Sequence, residues 1–344
     1  AGGEVRPARG LPAADFGHGP GAPSARAPDC SVPPADGRNS SPVHFGWPRP
    51  LGWEATASRL SMTSTPSDGV RMTTASGDAT GHTSSRGPRA GGTDRWLRRM
   101  AAAPNARTRL ICFPHAGGSA GFFFPLLQSL PDTVEAYAVQ YPGRQDRLAE
   151  PCLTSVDELV DAVCEVLRQG PAMPLVLFGH SMGATLAFEV ARRRERSGAG
   201  SPLGLIVSGR RAPSLQRTET VHQRDDAGLV AEIRRLSGTD DSLLDDPEIR
   251  GMFLPALRAD YRAIETYRMA PGPPLGCPLS VFVGDADPRV SVAEAEAWRE
   301  QAGGEISLQV FPGGHFYLSD RPEEFSGRLT AELHRLCGPV PGPR

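Results

Sequence analysis

Lysine is absent from this chain: all 37 of its lysine-plus-arginine positions, in 344 residues, are arginine. That excludes P-loop nucleotide chemistry and Schiff-base catalysis, both of which need a lysine amine. The cysteines Cys30, Cys112, Cys152, Cys164, Cys277 and Cys337 are scattered without CxxC spacing. Neither a zinc site nor a disulfide framework is indicated, and no metal or cofactor is expected. Cys112 falls in an apolar run and Cys164 in a helical pattern, where a thiol packs as a small hydrophobe; a reducing, cytoplasmic setting fits. Net charge is only −2, so no nucleic acid or other polyanion is called for as a partner. No apolar run of signal-peptide length follows the first basic residues, and no membrane partner is expected.

Periodicity is missing from the first part of the chain. Residues 1–94 are crowded with Gly, Pro, Ser, Ala and Arg and carry no sustained helical or alternating apolar pattern. Such a segment buries too little apolar surface to offset its chain entropy, so it reads as a disordered leader, with 339–344 as a disordered tail. From about residue 95 strands alternate with helices. Strands are predicted over 109–113, 135–141, 175–178, 203–208, 279–284 and 306–311, and helices over 121–130, 156–167, 291–301 and a last one opened by Pro322. Ser155 and Glu158 have capping-box spacing at the start of the second helix. Strands separated by helices imply a mostly parallel sheet covered on both faces, one α/β domain over 95–338 with an insertion over about 212–274.

Within that pattern Gly179, His180, Ser181, Met182 and Gly183 follow the apolar run Leu175, Val176, Leu177, Phe178 and precede a small-residue stretch. Strand, sharp turn and helix is the setting of a nucleophile elbow, in which the serine is strained and its hydroxyl stands clear of the sheet. A serine hydroxyl needs a base, and the base an orienting acid. Asp285 and Asp287 follow one later strand and His315 follows the next, in the order that elbow enzymes use. Asp287 is the expected acid because it lies further into the loop, and Asp285 the loop-stabilising residue. His315 is the expected base; His180 reads as a packed histidine, and His222 and His334 as surface residues. Backbone N–H groups of Met182 and Ala116, the latter in the loop of Gly117 and Gly118, are the candidate oxyanion donors. In the insertion Ile249, Met252, Phe253, Leu257, Tyr261 and Ile264 make an apolar stripe, read mainly as packing, and the prolines around 271–274 suit a lid that moves.

FPHAGGSA at 113–120, QYPGR at 140–144, GHSMGA at 179–184, GDADP at 284–288 and FPGGHFYL at 311–318 together resemble the type II thioesterases that accompany polyketide and nonribosomal peptide synthases. RAD at 258–260, with Glu265 and Tyr267, resembles the conserved helix of that family's lid. Ala184 departs from the glycine that many members carry there. The resemblance implies an α/β-hydrolase fold with a helical lid at about 212–274. It further implies a monomer that hydrolyses stalled acyl groups from the phosphopantetheine arm of an acyl or peptidyl carrier protein, with Ser181, His315 and Asp287 as the triad. A general carboxylesterase or lipase would use the same triad on oxygen esters. An inactive hydrolase-fold binding protein would have no need to keep elbow, acid, histidine and oxyanion loop together.

Overall fold

The apolar runs become the strands β2 (Thr108–Phe113), β3 (Val134–Val139), β4 (Leu175–His180), β5 (Gly204–Ser208), β6 (Leu279–Gly284) and β7 (Ile306–Phe311) of a computed structural model. The structure describes residues 93–236 and 244–338. The expected leader over 1–94, except its last two residues, and the expected tail over 339–344 lie outside the described residues. One further strand, β1 (Leu97–Ala101), escapes the sequence reading. It runs antiparallel to β3, Leu97 opposite Val139, and shows no apolar alternation because it is an edge strand held by its neighbour.

The sheet order is β1-β3-β2-β4-β5-β6-β7, with all pairs after the first parallel. Because side chains alternate across a strand, Ile111, Phe113 and Leu177 enter one core and Leu110, Cys112 and Phe178 the other. The helices Val156–Gln169 and Met182–Arg196 cover the first face and Pro322–Cys337 the second. The chain moves from β2 outward to β3 and then returns to the other side of β2 as β4. Loops leaving the carboxyl ends of β2 and β4 therefore part, and open a crevice at that switch point.

Two local expectations need correction. The stretch predicted as a helix over 121–130 is a 3-10 helix, Ala120–Leu126. Pro125 inside it lacks the N–H that a continuing α-helix requires. At Val156–Gln169 the Ser155 hydroxyl accepts from the Asp157 amide at 3.2 Å, one position short of the expected capping box. A capping box does form at Ser291 with Glu294, opening the short helix Val292–Glu296.

The insertion contributes two longer helices, Asp226–Leu236 and Pro247–Thr266. The second is tied to the body of the domain by a charge. Asp260, 1% exposed, accepts from Arg144 Nη1 and Nη2 at 2.7 and 2.9 Å and from the Gly117 amide at 2.7 Å. Arg144 also donates to the Gly118 carbonyl at 3.0 Å. Glu265 of the same helix accepts from the Val221 and His222 amides and from the His222 ring. His222, expected at the surface, thus joins the two ends of the insertion. Removing one partner of a buried ion pair strands the other without solvent. Asp260→Ala should therefore lower unfolding free energy by about 3–5 kcal/mol in a urea titration; a loss below about 1 kcal/mol would mean that Arg144 finds another acceptor.

Candidate active site

Ser181 links β4 to the helix Met182–Arg196 with φ 55° and ψ −117°, a conformation rarely taken by a residue with a side chain. Two glycines make it possible. A Cβ on Gly183 would lie 1.9 Å from the Phe113 carbonyl oxygen, and one on Gly179 would lie 2.1 Å from the Gly183 oxygen. The helix can thus start directly against the end of β2, with its buried Ala184 and Ala187 continuing the close approach.

The structure brings Ser181, His315 and Asp287 together. His315 Nε2 is 3.0 Å from Ser181 Oγ, and His315 Nδ1 is 2.8 Å from Asp287 Oδ2. A carboxylate at Nδ1 fixes the proton there and turns the Nε2 lone pair towards the hydroxyl. Asp287 is held in turn by the Arg289 amide, which donates to Oδ1 at 2.8 Å. Asp285 does not reach the histidine: its Oδ1 accepts from the Gly313 amide at 2.9 Å and braces the loop that carries His315.

Met182 opens its helix, so its amide has no acceptor within that helix. The Ala116 amide has none among the described residues, and both residues line one small cavity with Ser181 and His315. Pinning the Gly117 amide and the Gly118 carbonyl to Asp260 and Arg144 orients the loop from which Ala116 projects. That pair is 116 residues apart in sequence, and no local pattern announces it.

Two buried histidines surround the base. His180, fully buried, turns away from the serine and shares a hydrogen bond of 2.9 Å with Ser208 Oγ; its ring lies 5.0 Å from that of His315. His115, which the sequence reading passes over, packs edge-on to Phe122 and Phe316 at 4.5 and 4.8 Å. Burial first, and then the nearby His315, holds both rings well below the ordinary histidine range, His115 at about 3. Both stay neutral, so no second positive charge opposes an imidazolium on His315. His334, as expected, is exposed.

Beside the serine lies an apolar cavity of about 210 Å³, bounded by Ala116 and Gly117 on one side and by Ile249, Phe253, Leu257 and Tyr261 on the other. Most of the stripe packs as expected, with Leu257, Tyr261 and Ile264 buried in the core and Phe253 against it, while Ile249, Phe253, Leu257 and Tyr261 also border the cavity; Met252 points outward, 39% exposed. Its spacing is that of any helix packed on a core, so periodicity alone could not reveal the cavity. No helix among the described residues is long and apolar enough to cross a membrane.

An elbow serine on a mostly parallel sheet, with later strands delivering an acid and then a histidine, defines an α/β hydrolase. Residues 108–333 match the model of the thioesterase domain family. The chain is 50% identical over 240 residues to a probable cadicidin biosynthesis thioesterase of Streptomyces griseus, an alignment covering 70% of this chain and 66% of that one, just under two thirds. It is 49% identical over 242 residues to the thioesterase PikA5 of Streptomyces venezuelae, covering 69% and 85%. Among solved structures, the type II thioesterase BorB from the borrelidin biosynthetic cluster superposes with a TM-score of 0.65 at 50% identity, covering 70% of this chain and 98% of that one. This chain belongs to the thioesterase domain family, and is an enzyme that hydrolyses thioesters.

The neutral histidines make stability depend on pH. In the unfolded chain His115 gains a proton below its ordinary pKa of 6.5, whereas in the fold it resists until about 3, so stability falls as pH drops through that window. Urea titrations at pH 7 and pH 5 should differ by roughly 2 kcal/mol on account of His115 alone. His115→Phe should narrow the difference by that amount; an unchanged difference would show that His115 is protonated in the fold.

Proposed function

We propose that this chain is a type II thioesterase, monomeric and cytoplasmic, that removes stalled acyl groups from the phosphopantetheine arm of a polyketide or nonribosomal peptide carrier protein. The observation that carries this reading is the Ser181–His315–Asp287 triad, at 3.0 and 2.8 Å, set beside an apolar cavity of about 210 Å³ suited to an acyl chain. Relatives named for cadicidin, borrelidin and gramicidin S biosynthesis support it.

In this mechanism Ser181 Oγ attacks the thioester carbonyl as His315 Nε2 takes its proton. The Met182 and Ala116 amides hold the oxyanion of the tetrahedral adduct. As the adduct collapses, the carbon–sulfur bond breaks and His315 gives the proton to the leaving sulfur. A thiol with pKa of about 8.5 leaves far more readily than an alcohol. Water then enters, loses a proton to His315 and attacks the acyl-serine; collapse releases the acid and restores Ser181. Asp287 remains ionised throughout, keeping the tautomer and balancing the transient imidazolium.

Wild-type protein should release propionate from a propionyl-loaded carrier faster than from an oxygen ester of the same acid. Ser181→Ala should lose roughly 10⁴-fold or more in kcat on the carrier, and Asp287→Asn about 10³- to 10⁴-fold. Asp285→Asn, which only loosens the loop, should lose less than about tenfold. Faster cleavage of the oxygen ester, with the carrier ignored, would reassign the protein to the general esterases. Equal losses at the two aspartates would withdraw the assignment of the acid.

A further inference from the structure

We propose that Arg210 binds the thiol side of the substrate, its guanidinium donating to the amide carbonyl of the phosphopantetheine arm nearest the thioester. The proposal rests on the carrier-thioester reading above. β5 lies between β4, which ends at Ser181, and β6, which leads to Asp287. Residue 210, just past the end of β5, therefore rises beside the serine on the side opposite β2 and its oxyanion loop. In the tetrahedral adduct the oxygen faces the donors on the β2 side, while the departing sulfur must face His315, which protonates it. The leaving arm thus exits past the end of β5.

The cavities follow the same division. The apolar one meets the oxyanion loop through Ala116 and Gly117. Arg210 lines the small cavity that holds Ser181 and His315 and also the next one, whose walls are polar, with Thr185, Gln216, Glu219 and Arg268 among them. The first matches an acyl chain in its lining; the last, only about 20 Å³ before substrate enters, matches the amides of an arm in the polarity of its walls.

Arg210 also has donors to spare beside the serine. Of its neighbours, Arg289 pairs with Glu219 and Glu232, and Arg211 pairs with Glu219 at 2.7 Å, its one unpartnered nitrogen, Nη1, being buried. The Arg210 side chain makes no hydrogen bond or ion pair within the described residues, and Glu219 acts on it only through space. Burial, with Arg211 and Arg289 nearby, brings its pKa down to about 9, which leaves it protonated at neutral pH. A part-buried guanidinium with unused donors beside a reactive serine gains most from an acceptor that arrives with the substrate. The amide nearest the sulfur fits because Arg210 shares the cavity of Ser181, whereas the phosphate lies at the far end of the arm.

The test is a series of acetyl thioesters of lengthening thiol: ethanethiol without an amide, N-acetylcysteamine with one, pantetheine with two, and coenzyme A with phosphate. The ratio of wild-type to Arg210→Met kcat/KM should rise about tenfold from ethanethiol to N-acetylcysteamine, and stay level beyond it. Arg210→Gln, measured in the same way, provides a second variant should the methionine protein fold poorly. A ratio constant along the series would overturn the proposal, as would a rise that first appears at pantetheine or at coenzyme A, which assigns Arg210 to the second amide or the phosphate. Wild-type kcat/KM that fails to rise anywhere along the series, or on the loaded carrier, would instead count against the carrier-thioester reading itself.

Discussion

The first turn of the helix after Ser181 is pressed against the Phe113 carbonyl more closely than any side chain permits, and the rest of the site follows from that contact. Glycine at 183 is what the contact demands, and glycine at 179 lets the strand pass beneath it. With helix and β2 held together, Ser181 has no relaxed conformation available and stands at φ 55°. The same contact sets the elbow beside the loop after β2. Nucleophile and oxyanion loop are thereby fixed to one another by backbone packing, in a close-packed interior that yields little.

A second constraint acts on that loop from above. Asp260 and Arg144 hold Gly117 and Gly118, and Asp260 belongs to the helix that also walls the apolar cavity. One buried charge pair therefore couples the surface that receives an acyl chain to the backbone that faces its carbonyl oxygen. A lid hinged at the prolines around 271–274 could not swing this helix away without unpairing both charges and releasing the loop. Any motion that admits substrate is better sought elsewhere in the insertion than at the middle of Pro247–Thr266.

What was legible in the sequence was what local chemistry encodes. The elbow announces itself by its glycines, β6 and β7 fall at the bounds their apolar runs set, and Asp287 is distinguished from Asp285 by two residues of loop. What was not legible depends on partners distant in sequence. β1 is a strand only because β3 pairs with it. His222 is half-buried because Glu265 reaches it, and His115 is buried by Phe122 and Phe316, of which Phe316 arrives two hundred residues later in the chain. The stripe of Ile249, Phe253, Leu257 and Tyr261 shows that periodicity names the inward face of a helix, here packed on the core, but not that a cavity opens along the same face.

Catalysis by Ser181 requires a covalent bond between its Oγ and the acyl group. Protein quenched in acid during turnover of a propionyl-loaded carrier, digested and weighed by mass spectrometry, tests it directly. The peptide that contains Ser181 should carry one added propionyl group while substrate remains and lose it once substrate is spent. Turnover by the wild-type protein with that peptide unmodified at every time point, including quenches within the first turnover under excess loaded carrier, would contradict a covalent acyl-enzyme.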